Sequence, residues 1–384
     1  RVENKLYGGS GCTGASDCQS KCSVDNSCDG YSSSTNKFMM ASGDHSNCIM
    51  LEQGLKCWGR GNGGKLGIGS TDDIGDGPGE MGTVLPFVDM GTDTASKTVL
   101  GISHTCVLLS NGKVKCWGNN SYKQLGLVSG QLTSPPVDPY VLGADAIDIC
   151  AGNYHTCAIL SDGGVKCWGR NNNGQLGVST ATTYSMIPAN TLNLGGTAAQ
   201  ISCGGEHTCA IMSTGDVKCW GSNSYGKIGS GVSSSYALPV SVDIGTGRTA
   251  VQIISGERYN CVLMDNSQVK CWGQGSYLGQ EQTNNKGDGA GEMGDNLPVT
   301  DLGTVGTVVA LSDGSNFLST CALFDNGKIK CWGTNTYGLG FVSSDSVVGN
   351  AVNEMGDNLP FVDLGTGRTA VFVTAGKSHH CVVL

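Results

Sequence analysis

Short alternating runs of apolar and polar residues recur along the chain, as in "AVQIIS" at 250 to 255, and no segment keeps a helical period. Each such run is followed by a second apolar stretch, a tight polar turn and a third stretch ending in Cys-Trp-Gly. A glycine-rich loop comes next, then a short extended piece such as "LPVSVDIG" at 238 to 245. The pattern predicts about four short antiparallel strands per unit.

The units repeat. "HTCAILSDGGVKCWGRNNNGQLG" at 155 to 177 has counterparts beginning at His45, His104, His207, Tyr259 and Ser319, and a truncated one, "HHCVVL", at the end. The six complete copies use all six tryptophans, Trp58, Trp117, Trp168, Trp220, Trp272 and Trp332, at intervals of 59, 51, 52, 52 and 60 residues. A catalytic or metal site is needed once, so a motif used six times is architecture. Four-stranded antiparallel units at this period predict the blades of a β-propeller. The repeat also explains the glycine-rich tails as loops after Trp-Gly, not nucleotide loops opening a helix.

The turn chemistry sets the cysteine pairing. In Cys157-Ala-Ile-Leu, Ser161-Asp162-Gly163, Gly164-Val165-Lys166-Cys167, a three-residue loop with a left-handed Gly163 makes a type I turn plus bulge. Leu160 then faces Gly164, and Cys157 falls directly opposite Cys167, within bridging distance. The same spacing predicts Cys106–Cys116, Cys209–Cys219, Cys261–Cys271 and Cys321–Cys331. The first unit is irregular: Cys48 lies three residues past His45 instead of two, and the following strand is one residue short. Strict alternation would turn Cys48 to the wrong face, so a bulge is expected before it and a Cys48–Cys57 bond after. Cys150 and Cys203 align at adjacent positions of neighbouring inner strands and predict a blade-to-blade bridge with Cα atoms under about 7 Å apart.

Composition narrows the setting. Nineteen cysteines without a Cys-x-x-Cys pair point to disulfides, not zinc, and so to an extracellular or cell-surface location. The formal net charge of −9 and the absence of a basic run argue against nucleic acid and anionic membranes. No run approaches the roughly 18 apolar residues of a membrane span, so direct membrane insertion is not expected. No signal peptide is visible at Arg1. Asn119-Asn120-Ser121 is the single glycosylation sequon, which makes Asn119 the glycan candidate.

Other residues that bear chemistry recur with the repeat. His104, His155, His207 and His379 open their hairpins and are read as satisfying nearby backbone groups, with a channel-lining metal ring as the alternative. Lys56, Lys115, Lys166, Lys218, Lys270 and Lys330 share a face with the neighbouring tryptophan. Their stems are expected to pack there while the ammonium stays in water. Three insertions, at 75 to 91, 287 to 303 and 349 to 365, carry Asp76 and Glu80, or Asp288, Glu292 and Asp295, in a pattern too sparse for a calcium loop. They read as solvated loops with Met81, Met293 and Met355 turned inward. No nucleophile–base pair stands out, and no catalytic residue, metal or cofactor is assigned.

The motif Gly152, His155, Thr156, Trp168, Gly169, Asn173, Gly174, Gln175, Leu176, Gly177 resembles the regulator of chromosome condensation repeat over about residues 37 to 384. The resemblance implies a seven-bladed propeller, and the cysteine pairs look like those of the family's secreted branches. Residues 1 to 36 form a separate Cys-rich segment. Its Cys18, Cys22 and Cys28 run, ending in Gly30-Tyr31, resembles the helix of apple-like modules. The pairing of Cys12, Cys18, Cys22 and Cys28 is open. The expected function is a non-catalytic extracellular scaffold binding a protein or glycan, or copies of itself in a filament, within a larger protein. A secreted enzyme inhibitor is the first alternative and a guanine-nucleotide exchange factor the second. Seven hairpin-opening strands but six Cys-Trp-Gly strands leave the last blade unfinished, with Cys381 lacking its repeat partner. Continuation of the chain is favoured over completion by an N-terminal strand through Cys28.

Overall fold

The computed structural model describes residues 22–24 and 40–384, except 129, 137, 141, 181–182, 189, 234–235, 315–316 and 342. Seven sheets follow one another along the chain. The inner, middle and third strands are Met40–Ser42, Ser46–Leu51 and Gly54–Gly59 in blade one, and Ala95–Leu100, His104–Leu109 and Val114–Gly118 in blade two. Blade three has Ala146–Ala151, His155–Leu160 and Val165–Arg170; blade four has Ala198–Cys203, His207–Met212 and Val217–Ser222. Blade five has Ala250–Ser255, Tyr259–Met264 and Val269–Gly273; blade six has Val308–Leu311, Ser319–Phe324 and Ile329–Thr334. Among the described residues, the expected fourth strand is a full strand only in blade four, Tyr236–Val242. In blades three and six it shrinks to Tyr184–Ser185 and Val347–Val348, and in one, two and five to isolated bridges such as Val114 with Tyr140.

Blade seven departs from the antiparallel pattern. Phe372–Ala375 and His380–Val383 pair antiparallel, but Cys22–Val24 lies parallel to the second and Asp313–Gly314 parallel to the first. Cys381 therefore faces Cys22 in register. Cys12, Cys18 and Cys28 lie outside the described residues, as does the rest of the proposed 1–36 segment.

The hairpins follow the turn argument. The turn position is left-handed at Gly112, Gly163, Gly215 and Gly327, with φ between 72° and 85°, and Ser267 occupies it in blade five at φ 63°. Disulfides join 48–57, 106–116, 157–167, 209–219, 261–271 and 321–331, with Cα–Cα distances of 4.0 to 4.1 Å, and Cys150–Cys203 at 5.4 Å. The bulge expected before Cys48 is absent. Leu51 pairs with Gly54, so the missing residue is lost from the turn, and Ser46, not His45, takes the histidine position. His45 stands outside the strand at φ 55°.

Adjacent blades are joined by one hydrogen-bond pattern. The main-chain oxygen of Gln124 accepts from Trp168 Nε1 (3.0 Å) and Thr156 Oγ1 (2.9 Å) of the next blade. Lys65, Gln175 and Lys227 play the same part for Trp117, Trp220 and Trp272. The five tryptophans from Trp117 onward are fully buried, so each indole fills the space between two blades. Trp332 Nε1 has no partner among the described residues, because the blade-five loop that should supply an oxygen is shortened.

Candidate functional site

The histidines do not bond the backbone of their own hairpins, as expected from sequence. Each reaches into the next blade: His104 Nε2 to Thr156 Oγ1 (3.0 Å), His155 to Thr208 (2.9 Å) and His207 to Asn260 Oδ1 (2.8 Å). Tyr259 to Thr320, Ser319 to His380 and His379 to Asn47 (2.6 Å) continue the belt and close the ring. In blade one Ser46 is too short to reach, and its buried hydroxyl has no partner among the described residues. The glycine three residues before each histidine follows from this packing. A Cβ on Gly101, Gly152, Gly204 or Gly376 would lie 2.1 to 2.3 Å from the imidazole Cε1. Burial holds His104 and His155 down to about 3 and His379 to about 4, so all three are neutral. Spread one per blade and bonded outward, they form a structural belt and do not converge on a metal.

The lysines before Cys-Trp share the tryptophan side, but the ammonium groups of Lys115, Lys270 and Lys330 are bonded to the protein and not left in water. Lys115 Nζ pairs with Asp93 (2.7 Å), Lys270 donates to the oxygens of Ile244 and Gly294, and Lys330 to those of Leu302 and Gly356. Backbone carbonyls replace the hydration shell, which lets a lysine lie at 2% exposure in blade six.

The insertion loops bind their own anion. Glu80 Oε2 accepts from the amides of Gly75 and Gly77, Glu292 from Gly287 and Gly289, and Glu354 from Gly349, Asn350 and Ala351. Converging N–H donors select negative charge, and these bonds hold the Glu80 carboxyl below its ordinary range. That arrangement is the opposite of a calcium cage. Among the described residues, the one group of three or more side chains able to share a metal is Cys150, Cys157 and Cys203, all in disulfides.

Two surfaces remain. At the end of the ring where middle strands begin and third strands finish, Arg170 lies over Tyr122 (5.2 Å) and Tyr154 (5.6 Å) and pairs with Glu206 (3.5 Å). Asn173 also donates to Glu206 (3.0 Å), and Arg258 covers Tyr225 (5.6 Å). Tyr122, Tyr225 and Tyr337 occupy corresponding loop positions, and all three are exposed. At the other end, a β-bulge in the inner strands of blades two to six inserts Ser96, Ile147, Ala199, Val251 and Val309. Ile147, Val251 and Val309 are each more than half exposed.

Between the two ends an axial cavity of about 400 Å³ is lined by Lys97, Asp148, Gln200, Cys150, Cys203 and Phe372, among others. Lys97 pairs with Asp148 (2.7 Å). Asp148 accepts from the amide of Ile201, Gln200 from Ile253 and Gln252 from Leu311, each bracing the next blade's inner strand. This ladder was not evident from the sequence, although a polar residue recurs at one place in "AIDI", "AAQI" and "AVQI". Asn119, the glycan candidate, is half-buried, and its Oδ1 accepts from Ser121 N and Gln124 Nε2.

Comparison with known proteins fits this geometry. Models described as the regulator of chromosome condensation (RCC1) repeat match residues 96–124, 146–175, 198–227 and 308–339, and, in a second form, 111–159, 162–211 and 214–263. The chain is 29% identical over 301 residues to the ultraviolet-B receptor UVR8 of Arabidopsis thaliana, across 78% of this chain and 65% of that protein. It is 27% identical over 288 residues to the human E3 ubiquitin-protein ligase HERC2, across 74% of this chain but only 6% of HERC2. It thus spans less than two thirds of either relative. Among solved structures, human WBSCR16 superposes with a TM-score of 0.69 at 19% identity, covering 90% of this chain and 85% of the other. Yeast RCC1 (Prp20), solved with Kap60, gives 0.67 at 18% identity, covering 88% and 78%. The matched repeats, the seven successive sheets and the tryptophan–carbonyl junctions together make this chain a member of the RCC1 repeat family, folded as a β-propeller.

Proposed function

We propose that the protein is a non-catalytic, protein-binding scaffold that works outside the cell or at its surface, as a segment of a larger protein. The observation that carries the binding surface is the tyrosine–arginine face built from Tyr122, Tyr154, Arg170, Tyr225 and Arg258. Tyrosine and arginine dominate the energetic centres of protein interfaces, and here they stand on loops fixed by a rigid ring. Yeast RCC1 (Prp20), which shares the fold, has been solved with Kap60 bound to it, a protein partner in that relative. Seven disulfides support an oxidising compartment. A glycan at Asn119, and copies of the protein as partners in a filament, belong to the same reading.

The test uses the chain secreted from eukaryotic cells and immobilised. A Tyr122→Ala/Arg170→Ala/Tyr225→Ala variant is compared with an Ile147→Ser/Val251→Ser/Val309→Ser variant at the opposite end. The scaffold reading expects partners retained by the parent to be lost at least tenfold in the first and kept in the second. Equal retention by all three proteins, or recovery of the secreted chain with free thiols at the hairpin cysteines, overturns it.

A further inference from the structure

Cys150, Cys157 and Cys203 place their three sulfur atoms within 4.8 Å of one another. Two disulfides therefore lie side by side: Cys150–Cys203 joins blades three and four, and Cys157–Cys167 closes the hairpin of blade three. Cys150 also pairs directly with Cys157 in the sheet register. Directly opposed residues of antiparallel strands have Cα atoms about 4.5 to 5.5 Å apart, within the range that a disulfide spans. A third bond, Cys150–Cys157, therefore fits the existing backbone. No other group of three cysteine sulfurs meets among the described residues, so the remaining hairpin disulfides have no such neighbour.

Access comes from the axis. Cys150 and Cys203 line the cavity, whereas Cys157 and Cys167 do not. The other hairpin disulfides also stay outside that lining, so a small nucleophile in the channel meets the inter-blade bridge first.

We propose that these cysteines form a thiol–disulfide exchange relay, opened from the axial channel by a low-molecular-weight thiol, that moves the bridge between blades three and four into blade three. The incoming thiolate attacks Cys203 Sγ and forms a mixed disulfide. The Cys150–Cys203 bond breaks, and its electron pair leaves on Cys150. The Cys150 thiolate attacks Cys157 Sγ and forms Cys150–Cys157. The Cys157–Cys167 bond breaks, and Cys167 leaves as a thiolate that takes a proton from water. One thiol enters and one is produced, the number of disulfides is unchanged, and no net oxidation occurs. The covalent tie between blades three and four is lost, while blade three keeps a cross-link between its inner and middle strands.

The experiment uses the full chain and reduced glutathione. Samples are quenched with acid, alkylated with N-ethylmaleimide and mapped by peptide mass spectrometry. The relay expects glutathione on Cys203, a Cys150–Cys157 cross-link and alkylated Cys167, appearing at least about tenfold faster than any product at Cys106–Cys116 or Cys209–Cys219. Loss of Cys150–Cys203 with Cys157–Cys167 intact, a Cys157–Cys203 product, or uniform slow reduction of all bridges overturns it. A second arm needs no reductant. In Cys203→Ser, Cys150 starts as a thiol beside the intact hairpin bond, so the alkyl label should divide between Cys150 and Cys167. Label on Cys150 alone overturns the relay. If Cys203→Ser is not secreted, the glutathione time course on the parent decides.

Discussion

The junction between blades two and three and the seam between blades seven and one share their inner halves and differ in their outer halves. At the inner level, His104 meets Thr156 at 3.0 Å in the first, and His379 meets Asn47 at 2.6 Å in the second. Backbone pairing near the axis also continues across the seam, from Lys377 N to Gly43 O, and Lys377 Nζ adds an ion pair to Asp44 (3.2 Å). Farther out they part. Trp168 is fully buried against blade two and donates to the oxygen of Gln124, whereas Trp58 packs against Cys381 and Val383 of blade seven and is only partly buried. Among the described residues, the side-chain belt and the Lys377–Gly43 backbone bond join these two blades near the axis. A bare edge is a liability in a sheet protein, and here Cys22–Val24 pairs in parallel along the outer side of His380–Val383.

The tryptophans test that difference most directly. Trp168→Ala empties a closed interblade space and removes a buried hydrogen bond, with an expected loss of about 3–5 kcal/mol. Trp58→Ala removes a partly wetted indole and is expected to cost less than about 2 kcal/mol. Chemical denaturation of both variants measures the gap. Equal losses would mean that the seam is covered as fully as an interior junction.

Asn47 tests the inner half. Its Oδ1 accepts from His379 Nε2, Ser42 Oγ and Cys381 Sγ. Asn47→Ala leaves buried donors without this acceptor and is expected to cost about 2–3 kcal/mol. The same denaturation measurement applies, and a loss below that of Trp58→Ala would make the belt the weaker join of this seam.

The sequence exposed most of this architecture and little of the seam. Local turn geometry dictates the hairpin register and the hairpin cysteine pairs, whereas the blade number comes from the count of repeats and the family resemblance. His45 misled because its thirteen-residue spacing to Trp58 imitates the repeat, while a two-residue turn at Glu52 and Gln53 shifts the real register by one. The histidine partners were hidden because each lies in the next blade, 52 or 53 residues away for His104, His155 and His207 and 332 for His379. The ammonium groups of Lys270 and Lys330 were expected in water because a sequence does not show which carbonyls converge on them. The tyrosine–arginine face was equally illegible: Arg170 ends one strand, while Tyr122 and Tyr154 belong to two different loops.

Acid treats the two regions alike, because the belt places a buried histidine at each. His104 is held near 3 and His379 near 4 by burial, while in the unfolded chain both titrate near the ordinary histidine value. Above about pH 6.5 both states are neutral and contribute no pH dependence. Below it the unfolded chain binds the proton and the folded one does not, so stability falls as pH drops from 6.5 toward 4. Each histidine contributes about 1.4 kcal/mol per pH unit in that window. Unfolding near pH 5 should take up about one proton fewer in His104→Gln and in His379→Gln than in the parent. Unchanged uptake in His379→Gln alone would show that the seam histidine is solvated.

The smallest effect concerns the junction where the belt has its gap. Ser46 cannot bridge blades one and two, and Lys65 reaches across instead, donating to the oxygens of Asp44 (2.5 Å) and Ile102 (3.0 Å). Gln124 occupies the corresponding place in the complete junction, where its Oε1 accepts from Tyr122 N. Burial lowers the Lys65 ammonium to about 8. Between about pH 8 and 10.5 the unfolded chain therefore holds a proton that the folded chain has lost, and stability rises with pH across that window. Lys227, also near 8, adds a rise of its own, so the parent and Lys65→Gln must be compared directly. The variant is expected to lose about 1–2 kcal/mol of the gain in unfolding free energy between pH 8 and pH 10. Parallel curves for the two proteins would mean that the Lys65 ammonium is hydrated and that the gap left by Ser46 is filled by water, not by the lysine.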